Sequence, residues 1–165
     1  MTSKATADEI DARLLLALTK DPRAATVALA DRTGISRNTV QARLNRWNQT
    51  GALLSFERRV ETGYLGYPLR AFVLTNVKQR MLSDVAAALV TIPEVVEVHG
   101  LSGVADLLIQ VVARDADDLY RVAGAILDIK GVKRTNTALV MRDLVGYRLS
   151  PLIEQITDHT VGHDG

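Results

Sequence analysis

The sequence predicts an α+β protein of two units, a helical one followed by a βαββαβ one. Three observations carry this. Residues 8–51 hold three helix-like segments, divided by Asp21-Pro22 and by Gly34. The remainder contains a strand–helix–strand pattern twice, at a constant offset of 37 residues. Between these parts, Gly63, Gly66 and Pro68 interrupt any regular element and place a boundary.

"ADEIDARLLLALTKDPR" reads as one amphipathic helix, with Ile10, Leu14, Ala17 and Leu18 at helical spacing. Asp8 and Glu9 suit its positive N-terminal end, Lys20 suits its C-terminal end, and Asp21-Pro22 stops it. A short second helix follows Thr26, with Val27, Leu29 and Ala30 as inward candidates and Gly34 as its stop. Ser36 stands where an N-cap belongs, ahead of a third helix from about Arg37 to Asn48 that Gly51 closes.

On that third helix Val40, Leu44 and Trp47 share a stripe that packs inward with Ile35. The other side carries Asn38, Ala42, Asn45 and Gln49, flanked by Thr39, Gln41, Arg43 and Arg46, with Arg37 at the N-terminal end. No carboxylate occurs from Ser36 to Ser55. A solvated helix face usually mixes both signs. An acid-free face suits phosphate oxygens and base edges, because Arg neutralises phosphate and Asn or Gln bonds adenine bidentately. Small Ala42 allows close approach to a groove floor. A plain three-helix bundle with a basic surface would show the same charges. The short second helix, Ala30 and the glycine turn favour a winged-helix-like helix-turn-helix instead. The candidate DNA contacts are therefore Ser36, Arg37, Asn38, Thr39, Gln41, Ala42, Arg43, Asn45 and Arg46.

Leu54, Phe56 and Arg58 alternate with polar neighbours, as in a strand, and Arg58 and Arg59 are placed either on flanking phosphate or in solvent. Four segments follow: a DNA-binding domain at 1–60, a linker at 61–68, a second domain at 69–148 and a C-terminal tail at 149–165. In the repeat, Phe72 corresponds to Ile109, Leu82 to Leu119, Val85 to Val122, Ala86 to Ala123, Leu89 to Ile126 and Val95 to Val132. Two joined copies make a ferredoxin-like unit, with helices on one face of an antiparallel sheet. Leu74, Val96, Val98, Leu108 and Val140 are expected on the other face, which then needs a cover, a second copy of the chain above all.

"HGLSGVADLL" joins the copies. One reading is a hairpin, with Gly for the turn and Asp106 for a local hydrogen bond. The other is a small-molecule pocket, in which N–H groups around Ser102–Ala105 hold a carboxylate and Asp106 pairs with an ammonium. Those are the two charges of a free amino acid.

Totals narrow the class of function. The 165 residues are 47% hydrophobic, enough for two modest cores. The absence of cysteine excludes disulfides and thiolate metal sites and fits a reducing compartment. "MTSKATADEI" has no apolar signal region, and "LLLAL" at 14–18 is too short to span a membrane, so a cytoplasmic protein is expected. Residues 1–60 contain ten Lys/Arg against six Asp/Glu, and residues 61–165 ten against thirteen. A basic part on an acidic remainder fits an anionic partner for the first unit. No enzyme constellation, phosphate loop or resident cofactor is expected. His159 and His163 are four apart in a tail, the spacing of a helical metal pair. His99 lies near the candidate pocket without a nucleophile partner, and Trp47 and Tyr147 read as packing residues.

Over residues 8–148 the chain resembles the Lrp/AsnC family of feast/famine transcription regulators. The resemblance rests on "DEIDARLLLALTKDPRAATVALADRTGISRNTVQARLNRWNQTGAL", on "PEVVEVHGLSGVADLLIQV" and on "GVKRTNTALVM". It implies an N-terminal DNA-binding domain, a linker strand and a RAM-type ferredoxin-like domain that binds amino acids. It also implies dimers assembling further, often to octamers, with effectors where dimers meet. Carried onto this chain, the effector contacts are Leu101, Ser102, Gly103, Val104, Ala105 and Asp106, with Thr135 and Thr137. Trp47-Asn48 stand where the family commonly has Leu-Glu, and Ser102-Gly103-Val104-Ala105-Asp106 replaces a Thr-Gly-x-x-Asp loop with a polar or aromatic middle. Three functions follow in order: an effector-responsive regulator on double-stranded DNA, an architectural DNA-wrapping protein without a ligand, and a metabolic regulatory module that binds no DNA.

Overall fold

The computed structural model describes residues 6–161, with side chains as far as Asp158. The chain divides into two compact units. One runs through Ser55 and resumes at Val145, and the other spans Phe56–Leu144.

The first unit opens with α1 (Glu9–Lys20), α2 (Thr26–Thr33) and α3 (Arg37–Thr50). Helix α1 starts at a capping box. The Asp8 carboxylate accepts the Asp11 N–H at 2.9 Å, and the Asp11 carboxylate accepts the Asp8 N–H at 3.2 Å. Helix α2 ends at Gly34 in the left-handed conformation. Ser36 Oγ then caps α3 by accepting the Thr39 N–H at 3.2 Å. Leu14, Leu29 and Val40 are fully buried together, with Trp47 beside them and Ile10, Leu18, Ile35 and Leu44 partly enclosed. Each such aliphatic side chain contributes roughly 1.5–3 kcal/mol by leaving water. Val27 is 44% exposed, contrary to its expected inward place. On so short a helix the inward stripe is Leu29, Ala30 and Thr33, and Val27 lies on the far side.

The second unit is a βαββαβ fold: β1 (Leu69–Val77), α4 (Leu82–Val90), β2 (Val95–Gly100), β3 (Leu107–Ala113), α5 (Ala116–Leu127) and β4 (Val132–Leu139). The antiparallel sheet runs β2-β3-β1-β4, so the first strand of each repeat lies central. Ala71, Val73 and Val77 of β1 and Leu107, Ile109 and Val111 of β3 pack with Val85, Leu89, Val122 and Ile126 of the two helices. The repeat is one residue out of step between its elements. Helix residues keep the offset of 37, but Val73 corresponds in burial to Ile109. Phe72 therefore sits opposite Gln110 in the register, on the face away from the helices. Val98 pairs with Ile109 on the helix side, and Val96 falls at a register shift, so neither belongs to the open face as expected. The cause is the pleat, in which one residue of slip moves a side chain to the other face. Leu74 and Leu108 do pair on the open face, among polar Arg70, Asn76, Glu97 and Gln110.

Two short 3-10 turns, Phe56–Arg59 and Thr62–Leu65, occupy the segment expected to hold a linker strand. No described strand pairs with it, and Leu54 and Phe56 are 61% and 72% exposed. Without a partner edge the backbone satisfies itself locally, as in the Val60 N–H to Glu57 carbonyl bond of 3.0 Å. No wing strand therefore follows α3 among the described residues. Arg58 pairs with Glu97 on β2, and Arg59 lies 5.7 Å over the Phe56 ring. The expected tail contains α6 (Ser150–Val161), which packs against α1 within the first unit. Tyr147, read as a packing residue, is 85% exposed, because it lies between β4 and α6 outside either core. The His159 side chain and His163 lie outside the described residues.

A charged network ties the start of α5 to the entrance of β2. The Asp118 carboxylate is 6% exposed and accepts from the Arg114 N–H at 3.0 Å and from Arg121 Nη2 at 2.7 Å. Arg121 also reaches the buried Glu94 carboxylate. The Arg114 N–H, then the Arg121 and Arg114 guanidiniums, hold the Asp118 carboxyl far below the usual carboxylate range.

Two outcomes follow for stability. Gly131 has φ +107, and a Cβ there would lie 2.9 Å from Met81 Cβ and 3.1 Å from Val85 Cγ2. Gly131→Ala should cost about 1–3 kcal/mol in urea unfolding, from strain and overpacking together. Because the folded pKa of Asp118 is lowered, its contribution is complete above about pH 4 and is lost as pH falls through the lowered value. Asp118→Asn should thus lower the midpoint of urea unfolding at pH 7. The gap from the parent should narrow as urea unfolding is repeated below about pH 4.

Candidate nucleic-acid interface and effector loop

In the first unit, the candidate site is the outward side of α3. Ser36, Arg37, Asn38, Gln41, Ala42 and Asn45 are exposed, and Thr39 is half-buried. The Ser36 and Thr39 hydroxyls bond each other at 2.8 Å and close the N-terminal turn. Gln41 Nε2 donates to Asn45 Oδ1 at 3.0 Å, and Thr26 Oγ1 of α2 donates to Gln41 Oε1 at 3.2 Å. These bonds line up two amides along one face, with exposed Ala42 beside them. Each amide retains hydrogen-bonding capacity toward solvent. Arg37 forms no ion pair among the described residues and stands free at the helix start.

Arg43 and Arg46 do not stand free. Arg43 Nη1 lies 3.0 Å from Asp11 Oδ1 and also pairs with Asp8, while Arg46 Nη2 pairs with Asp11 Oδ2. Asp11 is 1% exposed. In the free chain both arginines thus hold α3 on α1, with the Arg43 side chain 19% and the Arg46 side chain 39% exposed. Burying a carboxylate is unfavourable unless it is paired and hydrogen-bonded, and here each oxygen meets a guanidinium. Loss of Arg43 would leave the buried Asp11 charge short of a partner, while the pair with Arg46 is partly screened by solvent and contributes less. Burial pushes the Asp8 carboxyl up. The Asp11 N–H and Arg43 outweigh it and leave its pKa lowered. Asp8 and Asp11 as partners of α3 escaped the sequence reading. The D-x-x-D spacing of the capping box signals the local pair, but not its reach to the third helix.

In the second unit, the loop between β2 and β3 carries the other candidates. Leu101, Ser102, Gly103 and Val104 are exposed, Ala105 is buried and Asp106 is half-buried. The loop is fastened to the end of β1. The Leu101 N–H donates to the Asp106 carbonyl at 2.8 Å, and the Asp106 N–H to the Thr75 carbonyl at 3.0 Å. Asn76 Nδ2 donates to the Val104 carbonyl at 3.0 Å, and the Val77 N–H to Asp106 Oδ2 at 2.8 Å. Asn76 was missed in the sequence, where it reads as an ordinary strand residue. Gly103, at φ +115, takes the left-handed backbone that this turn requires. Thr135 and Thr137 face Thr75 and Val73 across the other side of β1. One chain therefore does not bring them against the loop. Cavities of about 160 and 410 Å³ lie in the first unit, and the loop lines neither.

Residues 8–46 match the AsnC-type helix-turn-helix domain and residues 70–149 the Lrp/AsnC ligand binding domain. The HTH-type transcriptional regulator FL11 of Pyrococcus furiosus is 30% identical over 135 residues, covering 82% of this chain and 89% of that protein. AsnC of E. coli superposes with a TM-score of 0.79 at 26% identity, over 89% of this chain and 100% of AsnC. The M. tuberculosis feast or famine regulatory protein complexed with L-methionine superposes at 0.76 with 27% identity, over 87% of this chain and 98% of its own. Two domain matches in this order, with a relative aligned across both, place the chain in the Lrp/AsnC family of transcriptional regulators.

Proposed function

We propose that α3 reads the major groove of double-stranded DNA and that the loop at Leu101–Asp106 binds a free amino acid which alters that reading. The observation that carries the first part is the amide-lined, acid-free outer face of α3, with Gln41 and Asn45 already hydrogen-bonded into one row. In this reading Asn38, Gln41 and Asn45 meet base edges, and Ala42 permits the approach. Arg37, with the hydroxyl-bearing first turn at Ser36 and Thr39, meets phosphate.

The amino-acid class is supported by the L-methionine complex of the M. tuberculosis relative and by the chemistry of the loop. The N–H groups of the turn around Gly103 suit a carboxylate. Asp106 spends one oxygen on the Val77 N–H and keeps the other for an ammonium. Val104 and Ala105 favour an apolar or aromatic effector side chain. Thr135 and Thr137 would meet the effector from a different copy, since in one chain β1 separates them from the loop. A homo-oligomer fits this. It also fits exposed apolar side chains of the second unit such as Phe56, Tyr64, Met141 and Leu144, which are 72–90% exposed. The protein acts by binding and not as an enzyme, and works in the cytoplasm on the nucleoid.

Two measurements test this. On a duplex selected from a random library, Asn38→Ala or Gln41→Ala should relax sequence preference by roughly 1–3 kcal/mol per lost base contact. Arg37→Ala should lower the slope of log affinity against log salt by about 0.9. Parent-like binding by all three variants would remove α3 as the reader. In a thermal-shift screen of the twenty amino acids, an apolar or aromatic one should stabilise the parent. Asp106→Asn, which still accepts the Val77 N–H, should weaken that ligand about tenfold or more, through a lost charge-assisted bond of roughly 1.5–3 kcal/mol. No shift with any amino acid would favour the architectural, ligand-free reading.

A further inference from the structure

We propose that Asp11 is a specificity-setting positioning residue: it holds Arg43 and Arg46 against α1 and keeps both guanidiniums off DNA phosphate. The proposal rests on the reading of α3 as the DNA-contacting helix. That helix carries three arginines and no acid. Left to themselves, all three would act on phosphate and bind any sequence. Two are instead taken by carboxylates from another helix.

The geometry makes this a fixed arrangement and not a chance surface pair. Asp11 is 1% exposed, so its charge has no water to turn to. Each oxygen takes a different arginine, Oδ1 from Arg43 at 3.0 Å and Oδ2 from Arg46. The carboxylate cannot swing away without breaking the capping box, because Oδ2 also accepts the Asp8 N–H. Asp8 takes a second share of Arg43. Arg46 follows Ala42 by one helical turn and adjoins Asn45, so its released guanidinium would flank the base-reading amides.

The consequence is for specificity, which is a difference between two affinities. Phosphate contact supplies nearly all non-specific binding, and each neutralised phosphate adds about 0.9 to the salt slope. With two cations withdrawn, the phosphate attraction of α3 falls to that of Arg37, while the amides that distinguish bases remain. Asp11 therefore suppresses binding to wrong sequences by occupying side chains that never touch them.

The test uses the full chain and a fluorescent random-sequence duplex, with anisotropy measured against salt. Circular dichroism establishes that each variant is folded. Asp11→Asn keeps the side-chain shape and the oxygen that caps the Asp8 N–H, but removes the charge. We expect its salt slope to steepen by up to about 1.8, and its affinity for the random duplex to rise about tenfold at 0.1 M salt. Adding Arg46→Ala to that variant should take back about half of the extra slope. Should Asp11→Asn fail to fold, Asp8→Asn, at a more exposed carboxylate, should still steepen the slope by releasing Arg43 in part. A folded Asp11→Asn or Asp8→Asn protein with the parent's slope, or a flatter one, overturns the proposal. So does an Asp11→Asn steepening that loss of Arg46 leaves undiminished. A parent whose duplex binding ignores salt instead defeats the DNA-binding reading itself.

Discussion

The first unit depends on one buried carboxylate. Asp11 lies at the third position of α1, where the helix still lacks partners for its first N–H groups, and the capping box with Asp8 holds it there. Its two oxygens then reach across to α3 and take Arg43 and Arg46. The apolar stripe of Val40 and Trp47 presses α3 onto the core without direction, since hydrophobic packing tolerates rotation and slippage. Two guanidiniums on one fixed acid are directional. They set which side of α3 turns outward, and that side is the row of Asn38, Gln41, Ala42 and Asn45. The selection of which residues face outward is thus made by an interaction on the opposite flank of the same helix.

The second unit uses the backbone of β1 in a comparable way. As a central strand it bonds β3 along one edge and β4 along the other. Its last residues, Thr75 to Val77, also fasten the β2–β3 loop: the Thr75 carbonyl accepts from the Asp106 N–H, and the Val77 N–H and the Asn76 side-chain amide donate to Asp106 and Val104. The register shift between Asn76 and Val77 is part of this, because the Val77 N–H turns to Asp106 there. The loop keeps a fixed turn although four of its residues lie at the surface.

Much of this was legible in the sequence, and the failures have physical causes. The bounds of the three N-terminal helices were readable because Pro22, Gly34, Ser36 and Gly51 act locally on the backbone. The helix halves of the repeat were readable because burial on both sides of Val85 and Val122 is periodic. The strand halves were misread by one residue, since Phe72 and Val73 are equally apolar and only pairing decides which face each takes. The pairing of Arg43 and Arg46 was illegible, because the acid they meet lies more than thirty residues away on another helix. The linker strand failed for the converse reason. Alternation at Leu54 and Phe56 looks strand-like, but a strand exists only where another edge completes it. At the loop, the glycine and the aspartate were found, while Asn76, which anchors them, carries no local mark.

The central claim is that α3 meets bases through its amides while its inner arginines stay on α1. The most direct measurement is a crystal structure of the full chain on a duplex selected from a random library. The account expects Asn38, Gln41 and Asn45 within hydrogen-bonding distance of base edges in the major groove, Arg37 on phosphate, and Arg43 and Arg46 still paired with Asp11. A complex in which Arg43 and Arg46 lie on phosphates with Asp11 unpaired, or in which α3 stands outside the groove, would contradict it.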